Sequence, residues 1–566
     1  VLIAGCGRAD EPALAPPERQ PPPAGAMRFA EDAECIDNPP VYRTGKETDH
    51  YSILESLGGG VALFDFDRDG HLDLGFAGGG RFEAESLLPH PGQLLRRGTG
   101  RRFLNVAALA GLDRSTHYTH GWATADFDND GFGDVLMTGY GGLELWHGLG
   151  DGTFENVTPA SGLDDRDWST SAAWGDFNGD GSLDLYVVHY VNWSFDNDPP
   201  CTAGGRRDVC PPKVFDGLDD RVYFSGGDGT FRNVTATAGL VPGGKGLGVV
   251  SADLDLDHDL DIYVANDTTN NFLYFNDGFG AFTEGGVLSG TAVDESGNAN
   301  GSMGICVLDF NRDGRTDLWV ANFEDEIFAL YRNDADGQFS HISSRVGLRS
   351  LGTLFVGFGT VAGDFDLDGD EDIAVANGHV TRYARNAAVL QTPLLLRNER
   401  GVLLERLPAA TDSYFDTPHA GRGLAEGDLD GDGDLDLVFV NSDEPAAVVI
   451  NETVATGSAL SVRLVGGASN RDAIGARVEL QTTAGEQFRY IVGGGSYLST
   501  SDLAVHFGVP QGAQMVRLRI EWPAGASTEL AVAENVPADG RLTRLLIREV
   551  DREHGGWTAL PDDAAY

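Results

Sequence analysis

The sequence predicts an all-β protein: a seven-bladed β-propeller with calcium-binding loops, followed by a small C-terminal β-sandwich-like domain. Three observations predict it. A nine-residue aspartate-rich phrase recurs seven times, beginning at Asp65, Asp126, Asp176, Asp253, Asp309, Asp364 and Asp428, with a mean spacing of about 60 residues. A fixed period of that size marks a propeller or solenoid. Short apolar stretches of strand length flank every copy, and glycine is abundant (77 of 566 residues) with no collagen period.

The second copy is the plainest, Asp126-Phe-Asp128-Asn-Asp130-Gly-Phe-Gly-Asp134. Carboxylates at positions 1, 3, 5 and 9, with glycine at 6, supply the oxygen ligands a hard cation needs, and the backbone carbonyl near position 7 adds another. Nothing in this spacing offers cysteine or histidine, so zinc and copper are disfavoured. The candidate ligands are Asp65, Asp67, Asp69 and Asp73; Asp126, Asp128, Asp130 and Asp134; Asp176, Asn178, Asp180 and Asp184; and Asp253, Asp255, Asp257 and Asp261. The series continues with Asp309, Asn311, Asp313 and Asp317; Asp364, Asp366, Asp368 and Asp372; and Asp428, Asp430, Asp432 and Asp436. Up to seven Ca²⁺ are expected, one per blade. The fourth site should be the weakest, because His258 stands where glycine is expected. Asp259, Asp370 and Asp434 occupy position 7, where the carbonyl is the better candidate.

A Gly/Ala-rich strand enters each loop, as in Gly121-Trp-Ala-Thr-Ala and Gly304-Ile-Cys-Val-Leu, and an apolar strand leaves it, as in Asp317-Leu-Trp-Val-Ala-Asn. A third and a fourth strand follow, for example Phe272-Leu-Tyr-Phe-Asn and Phe154-Glu-Asn-Val-Thr. Four short strands per repeat make a blade. After Val448-Val-Ile-Asn451 no fourth strand follows, whereas Met27-Arg-Phe-Ala-Glu-Asp-Ala33 looks like an orphan one. The N-terminal segment is therefore expected to complete the seventh blade; an arm lying across the ring is the competing arrangement. Insertions at 189–217, with Tyr190, Trp193 and Phe195, and at 378–393, with His379, Arg382, Tyr383 and Arg385, are loops suited to binding or mere decoration.

Residues 27–455 thus form the propeller and 456–550 a second domain of period-two strands, with a loosely ordered tail at 551–566. Residues 1–26 read as a tether. Ile3-Ala-Gly-Cys6 resembles a bacterial lipobox, which makes Cys6 a lipidation candidate and predicts a secreted protein anchored at the outer membrane or cell surface. Cys201 and Cys210 bracket a Gly/Arg-rich loop and are expected to form a disulfide; Cys306 reads as a buried thiol and Cys35 has no evident partner.

The net charge is −47, which disfavours nucleic acid and anionic membrane surfaces as partners. The seven loops alone hold 29 aspartates, so calcium is expected to act as a folding ligand. No apolar run reaches the length of a membrane-spanning helix.

The repeats resemble FG-GAP/VCBS repeats, found also in integrin α heads. The second domain resembles the ASPIC/UnbV domain through Asn470-Arg-Asp-Ala-Ile-Gly475-Ala-Arg-Val478, Gly493-Gly-Gly-Ser-Tyr-Leu-Ser499, Val505-His-Phe-Gly508 and Glu521-Trp-Pro-Ala-Gly525. The order of the two is similar to the cartilage-acidic-protein family and its bacterial secreted relatives, across roughly 27–548. The resemblance implies an extracellular calcium-binding protein without established catalysis. A non-enzymatic binding, adhesion or scaffold protein is the leading reading, its loops presented to a protein or glycan ligand. A calcium-dependent polysaccharide lyase or hydrolase, or a structural subunit of an envelope complex, are the alternatives. His117, His120, His189, His379 and His419 are scattered over different blades, and no nucleophile elbow, HExxH, P-loop or dinucleotide motif is present. Oligomeric state is not legible.

Overall fold

The computed structural model describes residues 27–408, 413–455, 457–531, 542–549 and 557–560. Seven antiparallel sheets follow the repeats, each of four strands from the repeat region. In the second, Tyr118–Ala125 pairs with Asp134–Tyr140, then Gly142–Gly148, then Phe154–Asn156. The innermost strands pack in a closed cycle: Val61–Phe64, Tyr118–Ala125, Ser169–Gly175, Gly246–Ala252, Ser302–Leu308, Gly357–Gly363, Gly421–Gly427 and back to Val61–Phe64. These strands are buried along nearly their whole length, as the absence of polar/apolar alternation in the sequence implies.

Phe29–Glu31 runs antiparallel to Ala447–Asn451, with Phe29 opposite Asn451, and completes the seventh sheet. The N-terminal segment is therefore the missing outer strand and not an arm across the ring. Its ring packs edge-on against Phe365, at 5.7 Å between centroids. The pairing removes an exposed edge on Ala447–Asn451.

Glycine recurs in the entering strands because neighbouring inner strands meet backbone to backbone. A Cβ on Gly304 would lie 2.0 Å from the Phe358 carbonyl oxygen of the next blade, and one on Gly423 would lie 2.1 Å from that of Gly59.

Two four-stranded sheets build the second region. One orders Val505–Val509, Ser458–Val465, Leu542–Arg548 and Trp557–Leu560; the other orders Gly485–Tyr490, Arg477–Thr482, Met515–Glu521 and Ser527–Ala531. Leu460, Val462, Val478, Leu480, Phe507, Leu518 and Ile547 fill the space between, in a core continuous with Trp174, Phe177 and Leu260 of the propeller. The strand Trp557–Leu560 corrects the expectation of a loosely ordered tail: it covers the edge that Leu542–Arg548 would otherwise expose. The remainder of the tail, and the tether with Cys6, lie outside the described residues.

The segment 493–501 leaves the second region and enters the propeller axis, where it bonds to all seven inner strands. Thr500 N–H donates to Val61 O at 2.9 Å, Trp122 N–H to Leu498 O at 3.1 Å, and Gly495 N–H to Val249 O at 2.8 Å. Leu498 N–H reaches Ser171 Oγ at 3.1 Å. Ile305 N–H donates to Ser496 O at 3.0 Å. Ser496 Oγ accepts from Thr360 N–H at 3.2 Å and donates to Leu424 O at 2.6 Å. The Gly-Gly-Gly-Ser-Tyr-Leu-Ser phrase is thus a plug.

The two insertions close the axis too. Tyr190, Val191, Trp193, Val209, Cys210 and Phe215 are buried in one core with Tyr42, Leu54, Leu57, Phe358 and Tyr497. Cys201 and Cys210 are disulfide-bonded, and Cys35 and Cys306 are buried free thiols. Asp208 ties the insertions together, accepting the N–H groups of Arg382 at 2.9 Å and Tyr383 at 3.1 Å.

Candidate metal centres

All seven aspartate loops fold alike. Position 4 is left-handed throughout, from Arg68 (φ 58°) to Gly431 (φ 83°), and so is position 6, which is glycine in six loops and His258 (φ 75°) in the fourth. Glycine adopts that backbone at little cost, whereas histidine is strained there. Sequence order alone thus located the one irregular loop. His258 remains solvent-exposed, its Nδ1 4.0 Å from Asp253 Oδ2.

Position 1 draws the loop around itself: Asp364 accepts from Asp368 N–H at 3.0 Å and from Gly369 N–H at 2.8 Å. Position 5 caps position 7, as Asp130 does for Phe132 N–H at 2.8 Å. Position 9 is a keystone. One oxygen of Asp134 accepts Phe127 N–H inside the loop at 3.1 Å, and the other accepts Gly148 N–H of the third strand at 2.7 Å. The same pair of bonds recurs at Asp73, Asp184, Asp261, Asp317, Asp372 and Asp436. The leaving strand is thereby clamped to both loop and third strand.

Carboxylates at positions 1, 3 and 9 converge with ligand atoms within 4.8 Å of one another in Asp65/Asp67/Asp73, Asp126/Asp128/Asp134, Asp253/Asp255/Asp261 and Asp364/Asp366/Asp372. Buried oxygens without a protein hydrogen bond lie at Asp67, Asp126, Asp255, Asn311, Asp366 and Asp434, so six of the seven loops hold at least one. Burial, compounded by the neighbouring aspartates, pushes the carboxyl of Asp73 up to about 8 and that of Asp134 up to about 9. Packing such groups together opposes ionisation, and a divalent cation at their centre reverses the sign of that field. An oxygen-only donor set with unpartnered inward oxygens fits a hard cation such as Ca²⁺.

Position 7 differs among its acidic copies. Asp370 turns away to Arg312 of the preceding blade, whose Nε lies 2.7 Å from it.

Several neighbours of the loops carry no signal in the nine-residue phrase. His147, on the third strand, lies 3.2 Å from Asp128 and 3.1 Å from Asp130, adding the nitrogen donor that the spacing alone did not offer. Arg96 occupies the matching place in the first blade, pairing with Asp67 and, at 3.1 Å, with Asp69. The second region sits against the loop face. Asp472 accepts Asp126 N–H at 2.7 Å, Arg471 lies 3.4 Å from Asp126, and Arg544 lies 3.0 Å from Asp428.

The scattered histidines stay apart in their bonding. His117 faces Glu144 at 3.4 Å, His189 faces Asp165 at 2.9 Å, His379 faces Glu324 at 3.4 Å and His419 faces Glu444 at 3.2 Å. His120 Nδ1 meets the Tyr42 hydroxyl at 2.9 Å.

A family model for FG-GAP-like repeats matches residues 126–187, 253–320 and 309–375. A model described as ASPIC and UnbV matches residues 466–551. The chain carries FG-GAP-like repeats and an ASPIC and UnbV domain. Cartilage acidic protein 1 of Xenopus tropicalis is 26% identical over 508 residues, spanning 86% of this chain and 73% of that protein. The Mus musculus protein of the same name is 25% identical over 515 residues, spanning 86% and 73%. Among solved structures, YCF48 bound to D1 peptide aligns at 9% identity over 78% of this chain and 99% of that one, with a TM-score of 0.40. The FG-GAP matches cover the loops that begin at Asp126, Asp176, Asp253, Asp309 and Asp364, and the ASPIC and UnbV match contains the plug.

Proposed function

We propose that the protein is a non-catalytic, calcium-stabilised binding or adhesion propeller that works outside the cytoplasm. Each loop would hold Ca²⁺ through its position 1, 3, 5 and 9 side chains, and the metal would supply charge neutralisation and rigidity, with no chemistry asked of it. The observation that carries this reading is the convergence of carboxylates, with unpartnered inward oxygens, in loops of one repeated geometry.

The ligand, a protein or glycan, would meet the capping insertions. There Arg206 lies over Tyr383 at 5.2 Å, while Arg207 and Arg382 lie over Tyr51 at 5.8 and 4.1 Å. Tyrosine and arginine, with tryptophan, are the residues enriched at binding hot spots. Lipidation at Cys6 would hold the protein at the cell surface.

Metal analysis with thermal melting tests the first half. Four or more bound Ca²⁺ per chain and a lower Tm in chelator are expected; fewer ions with no shift would refute it. A glycan array, repeated with Arg206→Ala/Arg207→Ala, tests the second. Binding lost in the double variant at unchanged Tm supports the cap surface, and binding retained places the ligand elsewhere. Turnover of acidic polysaccharides would overturn the non-catalytic reading.

A further inference from the structure

The sixth loop is enclosed more deeply than its siblings among the described residues. Asp364, Asp366, Asp370 and Asp372 are 2%, 5%, 3% and 1% exposed. Oδ1 of Asp366 accepts no hydrogen bond, whereas Oδ1 of Asp370 is ion-paired with Arg312. What encloses them comes largely from the ASPIC and UnbV domain. Gly508 N–H donates to Asp364 Oδ2 at 3.0 Å. Leu367, at position 4, is buried with Ala459 and Leu542. Gln487 Nε2 holds the Gly508 carbonyl at 2.7 Å, fixing the strand over the loop.

The glycine is required by space. A Cβ at position 508 would lie 2.1 Å from Asp364 Oδ2 and 2.6 Å from Leu367 Cα. Position 508 ends the Val505-His-Phe-Gly phrase of the second domain, and nothing within that strand itself demands glycine.

We propose that Gly508 is an outer-shell partner that closes the sixth loop over its cation, so that this one ion is retained while the others exchange freely. The inference rests on the calcium reading above. Asp364, Asp366 and Asp372 are buried together and must be neutralised as apolar cover is laid on them. The cation is therefore bound as the second domain seats, and leaves only when the strand carrying Gly508 opens over the loop. The N–H bond also orients Asp364, the kind of outer contact whose loss typically costs roughly 10–100-fold in metal affinity.

The test uses the full chain. Protein loaded with radioactive Ca²⁺ is mixed with excess chelator, and ions retained per chain are followed in time. A fast phase and one slow ion are expected for the wild type. Gly508→Ala should release that ion roughly 10–100-fold faster and leave the fast phase unchanged. Asp366→Asn, which needs no added volume, should also abolish the slow phase, whereas Arg471→Ala at the second loop should keep it. Wild-type calcium leaving in a single fast phase, or a slow ion surviving in both Gly508→Ala and Asp366→Asn, would overturn the inference while the calcium reading stands. A wild-type chain that binds no calcium would overturn the reading itself.

Discussion

The backbone N–H of Trp122 donates to the carbonyl of Leu498 at 3.1 Å, joining the inner strand of the second blade to the plug from the second domain. Thr500 Oγ1 returns a bond to Trp122 O at 3.0 Å. The axis of the ring is thus lined by backbone groups whose partners come from outside the repeats. Buried backbone groups without partners are costly, so the propeller and the second domain should fold as one unit.

Leu498 is 2% exposed in the middle of the plug. Leu498→Ala should destabilise the whole chain by about 2–5 kcal/mol, as large-to-small changes in packed cores do. Urea unfolding followed by fluorescence and by far-ultraviolet circular dichroism should show both probes shifting together. A propeller transition that stays in place would separate the two domains energetically.

Gly304→Ala should be more damaging than its single methyl suggests. The new Cβ would fall 2.0 Å from Phe358 O, a backbone atom on an inner strand held from both sides. Overpacking of this kind costs about 1–3 kcal/mol and occasionally more. Gly512→Ala, facing open space but left-handed at φ 81°, serves as the comparison for pure backbone strain.

Arg422 is a buried cation whose guanidinium binds carbonyls: Ser56 O at 2.9 Å, Gly378 O at 3.1 Å, Gly421 O at 2.7 Å and His379 O at 3.2 Å. It also stacks on Phe358 at 4.2 Å, and burial lowers its pKa to about 10. Arg422→Met keeps the volume and strands the carbonyls of two cap segments. Unsatisfied buried acceptors cost about 1–3 kcal/mol each. Limited proteolysis should then open the cap at 378–393 ahead of the blades; unchanged cleavage would mean that the cap is held elsewhere.

Glu326 supplies a pH dependence away from the metal loops. It accepts Gly301 N–H at 2.9 Å and Phe323 N–H at 3.2 Å, while burial pushes its carboxyl up to about 7. A carboxyl raised in the folded state binds its proton more tightly there than in the unfolded chain. Its contribution is therefore full below the unfolded pKa and is lost as pH rises through about 7. Glu326→Gln keeps an acceptor oxygen without the charge. It should flatten the decline in stability between about pH 5 and 8, by on the order of 2 kcal/mol. Parallel pH profiles for the two proteins would exclude Glu326 as the source.

Much was legible in the chain itself. The loops announce themselves because a nine-residue turn carries its candidate ligands locally, so spacing alone specifies which carboxylates converge. The orphan strand at 27–33 was readable because the seventh repeat lacks its fourth strand, and Phe29–Glu31 takes that place. His258 betrayed its loop because position 6 needs a left-handed backbone, which histidine adopts only under strain. The partners of those loops were not legible. His147 beside Asp128, Arg544 beside Asp428 and Gly508 against Asp364 lie on other strands, or in another domain.

The sequence by itself determined the repeat, the sheet type, the seven candidate cation loops and the strand that closes the ring. The first three are written in contacts within about 60 residues, where periodicity and turn chemistry act, and the closing strand shows through the place left open in the seventh repeat. Only the tertiary structure decided what fills the axis, what caps it, and which loop is sealed. Those outcomes depend on backbone groups meeting across the ring and between domains. A backbone carbonyl such as that of Leu498 is chemically the same at every position, and only the fold brings it to Trp122.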